Sequence, residues 1–207
     1  MKRMLLLALL GVTLAACAGS LFKNKAAPPT MYMLRAAPST PAADPAGSAA
    51  PIDLAVLRPR VRAGLDTDRI AALYPDRRME FFADVRWSGP LDEVLQDLAV
   101  QQLHANPGLH NVSREASVFG STYWLEIEVT DFQAEYRDGG SPPTVHVHLQ
   151  ARIGNSGDRH VLARFEPDVQ EAAADNRMSA IVDAYNRAAD NALSEIAEGV
   201  ARTLTVK

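Results

Sequence analysis

Cysteine is almost absent: a chain of 207 residues holds one, Cys17. An intrachain disulfide and a cysteine-rich metal site are thereby excluded, and no second thiol is left for nucleophilic catalysis. Aromatic residues make up only 6% of the chain, with two tryptophans, so Trp87 and Trp124 stand out. A basic excess is missing: 21 Lys and Arg face 25 Asp and Glu, for a formal net charge of −4. Without a basic stripe the chain is a poor nucleic-acid binder. Beyond its first residues the chain has no apolar run approaching the roughly 20 residues that a membrane-spanning helix needs. Catalytic signatures are missing too: there is no G-x-S-x-G, P-loop, G-x-G-x-x-G or H-E-x-x-H. What remains is a 47% apolar chain, enough to bury an ordinary globular core.

The first residues read as a targeting segment rather than as fold. Lys2 and Arg3 form a positive start, residues 4–14 are apolar apart from Gly11 and Thr13, and Leu14-Ala15-Ala16-Cys17 forms a lipobox. The cations stay on the cytoplasmic side, the apolar run enters the translocon, and the small residues fit the signal peptidase. Residues 1–16 are the expected signal peptide, and the Cys17 thiol is the expected acceptor of a diacylglyceryl anchor. A transmembrane anchor is the competing reading, but about 11 apolar residues are too few to span. Ala18 stands where inner-membrane retention commonly uses Asp, which points to the outer membrane.

Residues 17–30 are small, polar and proline-containing, and cannot bury enough apolar surface to fold alone. They are expected to form a flexible tether to a single domain over 31–207, with the Ala/Pro-rich stretch 36–51 as a mobile loop. Residues 31–34 are apolar enough to join a sheet. Alternation at period two predicts strands over 52–56, 122–136, 144–153 and 161–169, and a hairpin of 69–73 with 79–85 around Tyr74-Pro75-Asp76. Asp138-Gly139-Gly140 and Asn155-Ser156-Gly157-Asp158 supply turns. Leu91, Val94, Leu95, Leu98 and Gln102 form one stripe of a helix over 90–104, with Ser88 as N-cap, Pro90 in the first turn and Asn106-Pro107-Gly108 as the stop. A second helix over 178–204 carries an apolar stripe from Met178 to Leu204. It is expected to pack on the sheet, with length to spare for a partner. The order predicts an α+β (or α/β) domain: a mixed, mostly antiparallel sheet carrying an amphipathic middle helix and a long C-terminal helix.

Candidate chemistry is sparse. His146 and His148 share a strand face, as two zinc-binding imidazoles would. They lie opposite the apolar Val145, Val147 and Leu149, and no Cys, Asp or Glu close in sequence completes a set, so surface histidines and no metal or cofactor are expected. Glu126 and Glu128 alternate outward, the behaviour of a solvated face. Trp87, just before the first helix, reads as a core plug in preference to a partner contact. Trp124 falls on the same face as Glu126 and Glu128 and is a candidate interface residue, since aromatics are enriched at such contacts.

A family resemblance rests on further strings. Arg58-Pro59, then Gly64-Leu65-Asp66-Thr67-Asp68-Arg69-Ile70, then Arg86-Trp87 with Pro90-Leu91 opening a helix, resemble the ABC-type transport auxiliary lipoproteins. So do Asp131-Phe132-x-Ala134-x-Tyr136, the strand of residues 143–151 and the final helix with Ala184-x-x-x-Ala188. The likeness runs from about Met31 to Leu204 and departs at Trp87-Ser88-Gly89, where an alanine commonly follows the tryptophan. It implies a non-enzymatic, outer-membrane lipoprotein facing the periplasm, similar to that of the Pqi pathway. Its implied partners are an MCE-domain protein with its ABC permease and ATPase, moving lipids or other hydrophobic molecules. Arg58, Asp68 and Arg69 join Trp87 and Trp124 as interaction candidates, and a homo-oligomer is allowed. Alternatives stay open: a lipid-binding shuttle, which needs a large apolar pocket; a structural envelope lipoprotein; and, last, a hydrolase, which needs two converging carboxylates.

Overall fold

The computed structural model describes residues 27–36, 52–106, 109, 111–114, 120–137 and 140–205. Cys17, most of the expected tether and nearly all of the expected loop over 36–51 lie outside them.

Two long strands form the spine. β7 (Tyr123–Glu135) and β8 (Thr144–Asn155) pair antiparallel along their whole lengths. At ~3.3 Å per residue, β7 runs about 43 Å. Its other edge takes three short parallel partners in succession: β2 (Asp53–Val56), β3 (Arg60–Val61) and β4 (Arg69–Leu73). The far edge of β8 takes β9 (Val161–Phe165) and β10 (Asp168–Ala172), both antiparallel. β5 (Met79–Trp87) closes the expected hairpin with β4. β1 (Thr30–Tyr32) adds itself in parallel to the end of β5, and β6 (Asn111–Arg114) flanks β2. The sheet is mixed, as expected, with its longest ladder antiparallel.

Both helices cover one face. α1 (Leu91–His104) and α2 (Met178–Thr205) pack over Leu125, Ile127, Val129, Val145, Val147, Leu149 and Ile153, all at most 1% exposed. The opposite face is polar, the normal division for a sheet packed on one side only. The buried stripe of α2 runs from Ala180 to Leu204, so the whole helix of about 42 Å is used against its own sheet and α1. No surplus length is left over for a partner.

Several expectations need correction. Ser88 does not cap α1: the N-cap is Pro90, with no side-chain capping bond, and the Leu91 N–H is accepted 3.2 Å away by the Thr67 carbonyl. The strand expected over 161–169 is two strands, because Pro167 has no N–H to give a ladder and breaks the run between them. The alternation of β7 also changes phase. Leu125, Ile127 and Val129 point to the helices, but after a bulge between Val129 and Asp131 it is Phe132 and Ala134 that do. At the bulge the Gln133 carboxamide accepts the Phe132 N–H (2.9 Å) and donates to Asp131 and Glu135 (3.0 Å each).

Candidate functional site

The polar face of β7 and β8 gathers most of the chain's unusual side chains. The β7–β8 register sets Glu126 opposite Arg152, Glu128 opposite Gln150, Asp131 opposite His148 and Gln133 opposite His146. β3, β9 and β10 bring Arg60, Arg164 and Asp168 alongside.

At the lower end of this face the histidines have company that sequence reading missed. His146 Nδ1 lies 2.9 Å from Glu135 Oε1 and its Nε2 2.8 Å from Asp168 Oδ1. His148 Nε2 lies 3.2 Å from Glu166 Oε1, with Asp131 at 3.6 Å from Nδ1. Both rings stack, 6.4 Å apart and 2° from parallel. The carboxylates come from the two strands that flank β8, namely β7 and β10, and from the Glu166-Pro167 break, so none is a sequence neighbour. Both His146 nitrogens are held by carboxylates of the chain, and among the described residues no group of His, Cys, Asp and Glu is arranged to hold a metal.

This pairing has a pH signature. Burial disfavours the His146 imidazolium, but the hydrogen bonds and charges of Glu135 and Asp168 outweigh it and raise its pKa above 6.5. A group raised in the folded state contributes stability that is complete below the unfolded value and is lost as pH rises through the folded one. The stability advantage of the wild type over His146→Gln is therefore expected to grow as pH falls from 8 to 6. An imidazole titration by NMR should place His146 above the ordinary ~6.5; a midpoint at or below it would remove the pairing from solution.

The upper end is an ion cluster. Glu126, expected to be solvated, is 8% exposed and receives both Arg60 and Arg152. Glu128 is exposed, as expected. Trp124 lies on this face, half-buried, laid across Gly154 of β8, with its indole N–H donating to the Asn155 carbonyl at 3.2 Å. The ring is thus held by its own chain.

The other candidates gather on the opposite side of the sheet order, where β2, β4 and β5 meet α1. Arg58 pairs with Asp92 and reaches Glu93 at 3.1 Å, tying the end of β2 to the first turn of α1. Burial works against the Asp92 carboxylate, but the Arg58 hydrogen bond and charge hold its pKa below the usual range. Asp68 Oδ1 accepts from Arg86 at 2.7 Å, and its carbonyl accepts the Trp87 N–H at 2.7 Å. The Arg69 guanidinium sits 4.1 Å from the centre of the Phe81 ring. Trp87 is 1% exposed, edge-on to Phe132 and Tyr185, as its reading as a core plug expected. The strings 58–59, 64–70 and 86–91 are thus one joint: they fix where β5 ends and where α1 begins.

Fold and surface define a class: a one-sheet, two-helix α+β domain whose core is closed on one face and whose other face is charged. A family model for the ABC-type transport auxiliary lipoprotein component matches residues 32–197, and the chain belongs to that family. It is thus an auxiliary lipoprotein of ABC-type transport. The comparison with curated proteins returns no match. Among solved structures, a protein of Xanthomonas campestris shares the fold with a TM-score of 0.73 at 22% identity, covering 86% of this chain and 98% of its own. A hypothetical protein of Chlamydia trachomatis does so with a TM-score of 0.52 at 11% identity, covering 76% and 100%.

Proposed function

We propose that this chain is the outer-membrane-anchored, periplasm-facing adaptor of an ABC transport system that includes an MCE-domain protein and moves lipids or other hydrophobic molecules, and that it catalyses no reaction. The family match over residues 32–197 carries this reading. Three features support it. The lipobox ending in Cys17 supplies a diacylglyceryl anchor. Extended at ~3.1 Å per residue, residues 17–30 would reach about 40 Å, which would keep the domain close to its bilayer. The chain enters the fold at β1, on the rim of the sheet, where Met31 and Met33 are 52% and 59% exposed. Tethering raises local concentration, so contacts with the partner need not be individually strong.

Cys17→Ala is expected to leave the fold unchanged, release the protein from the membrane fraction and abolish transport. Undiminished transport by the released protein would sink the tethered-adaptor reading. Crosslinking in the native envelope should recover an MCE protein with its permease and ATPase; co-purified lipid alone would favour a shuttle instead.

A further inference from the structure

A groove of about 310 Å³ lies on the charged face where β7, β8 and β9 run side by side, lined by Glu126, Glu128, Gln150, Arg152, Arg164 and Glu166. Its charges do not balance internally. Arg152 and Arg164 are direct cross-strand partners of the β8–β9 ladder, an arrangement in which like charges repel. Arg152 is answered by Glu126, but that one carboxylate also takes Arg60. Arg164 has no ion pair among the described residues. On the next rung Glu128 is exposed opposite Gln150 and likewise has no ion pair among the described residues, while Gln150 donates to Glu166 at 3.1 Å. The groove therefore offers one guanidinium without an ion pair, Arg164, beside an Arg152 that shares its carboxylate with Arg60, and, one rung along, the carboxylate of Glu128 without an ion pair.

We propose that this groove binds a zwitterionic amino-phosphate group of the phosphoethanolamine type, with the phosphate between Arg152 and Arg164 and the ammonium against Glu128. Guanidinium forks match phosphate oxygens in geometry and charge, and an anion placed between two facing arginines removes their repulsion. A carboxylate at the other end selects a ligand that also carries a cation. The lining is mostly polar, with Ala151 and Phe165 as its apolar part, which suits a small charged headgroup better than an acyl chain. This inference rests on the transport reading, because a lipid headgroup is the source of such a group that the reading provides.

The test uses the full-length protein in a sugar-based detergent and a buffer free of phosphate and sulfate. Titration calorimetry with glycerophosphoethanolamine should show saturable binding, weakened about tenfold or more in Arg164→Gln, as expected for one lost charged hydrogen bond. Glu128→Gln should weaken glycerophosphoethanolamine while leaving glycerophosphate unchanged or tighter. Competition by phosphatidylethanolamine vesicles identifies the lipid headgroup as the source. Competition by inorganic phosphate with none from vesicles overturns the headgroup. Absence of saturable binding, or equal binding by Arg164→Gln with an unchanged melting temperature, overturns the site. Recovery of the transport partners by wild type and Arg164→Gln is read in parallel, so failure of the groove and failure of the adaptor role are told apart.

Discussion

Trp87→Ala is expected to lower the unfolding free energy by about 3–5 kcal/mol, the usual cost of truncating a fully buried large aromatic. The ring ends β5 at 1% exposure and sits edge-on to Tyr185 of α2 at 5.1 Å and to Phe132 of β7 at 6.0 Å. Phe132 and Tyr185 are themselves 5.2 Å apart, so three aromatics from three elements meet at one point. None of these elements can collapse into the gap freely. Trp87 hands its N–H to the Asp68 carbonyl, and Tyr185 donates its hydroxyl to the Ala71 carbonyl at 2.7 Å, where the β4–β5 register shifts. Urea unfolding should show a lower midpoint with little change in slope. A loss below about 1 kcal/mol would mean that the site closes over the missing ring, against the rigid junction described here.

Gly154→Ala is expected to cost about 1–3 kcal/mol, the range for overpacking a filled site. A Cβ at position 154 would run into the six-membered ring of Trp124 and lie 2.8 Å from the His160 carbonyl. The Trp124 ring must lift, and its hydrogen bond to Asn155 is then lost. The cost has a checkable cause. In Trp124→Leu the same Gly154→Ala change should cost less, because the ring it displaces is gone, and the two effects should not add. Full additivity would show that the His160 carbonyl alone sets the cost. The result also bears on Trp124 as an interface residue, since a ring committed to covering Gly154 has only its outer face to offer a partner.

The order of the long strands, both helices and the α+β class were legible in the sequence because each rests on local periodicity or on short-range chemistry. Leu125, Ile127 and Val129 alternate, Asn155 to Asp158 turn the chain, and the α2 stripe repeats at 3.6. Trp87 as core was legible too, from its place at a strand-to-helix corner. β3 and β6 were not: two residues give no period to read, and Asn111–Arg114 holds a single apolar residue, Val112. The phase change in β7 was hidden as well: a bulge costs one residue and leaves both halves looking like good alternation. Arg58, Asp68 and Arg69 were picked out by the family's strings, and only the fold showed that they join β2, β4 and β5 to α1.

By itself the sequence determined that Leu14-Ala15-Ala16-Cys17 has the pattern of a lipobox, that no recognised catalytic motif is present, and that the domain is a sheet with two amphipathic helices. Those properties depend on residues adjacent in the chain or repeated along one element. The tertiary structure decided which polar residues meet. Glu135, Asp168, Asp131 and Glu166 come to the histidines, and Arg60, Arg152 and Arg164 to Glu126 and the groove, because β7 and β8 each carry different partners along their outer edges. Pairing across strands is a matter of register, and register is set by burial of the opposite face, where Val145, Val147 and Leu149 must meet α2.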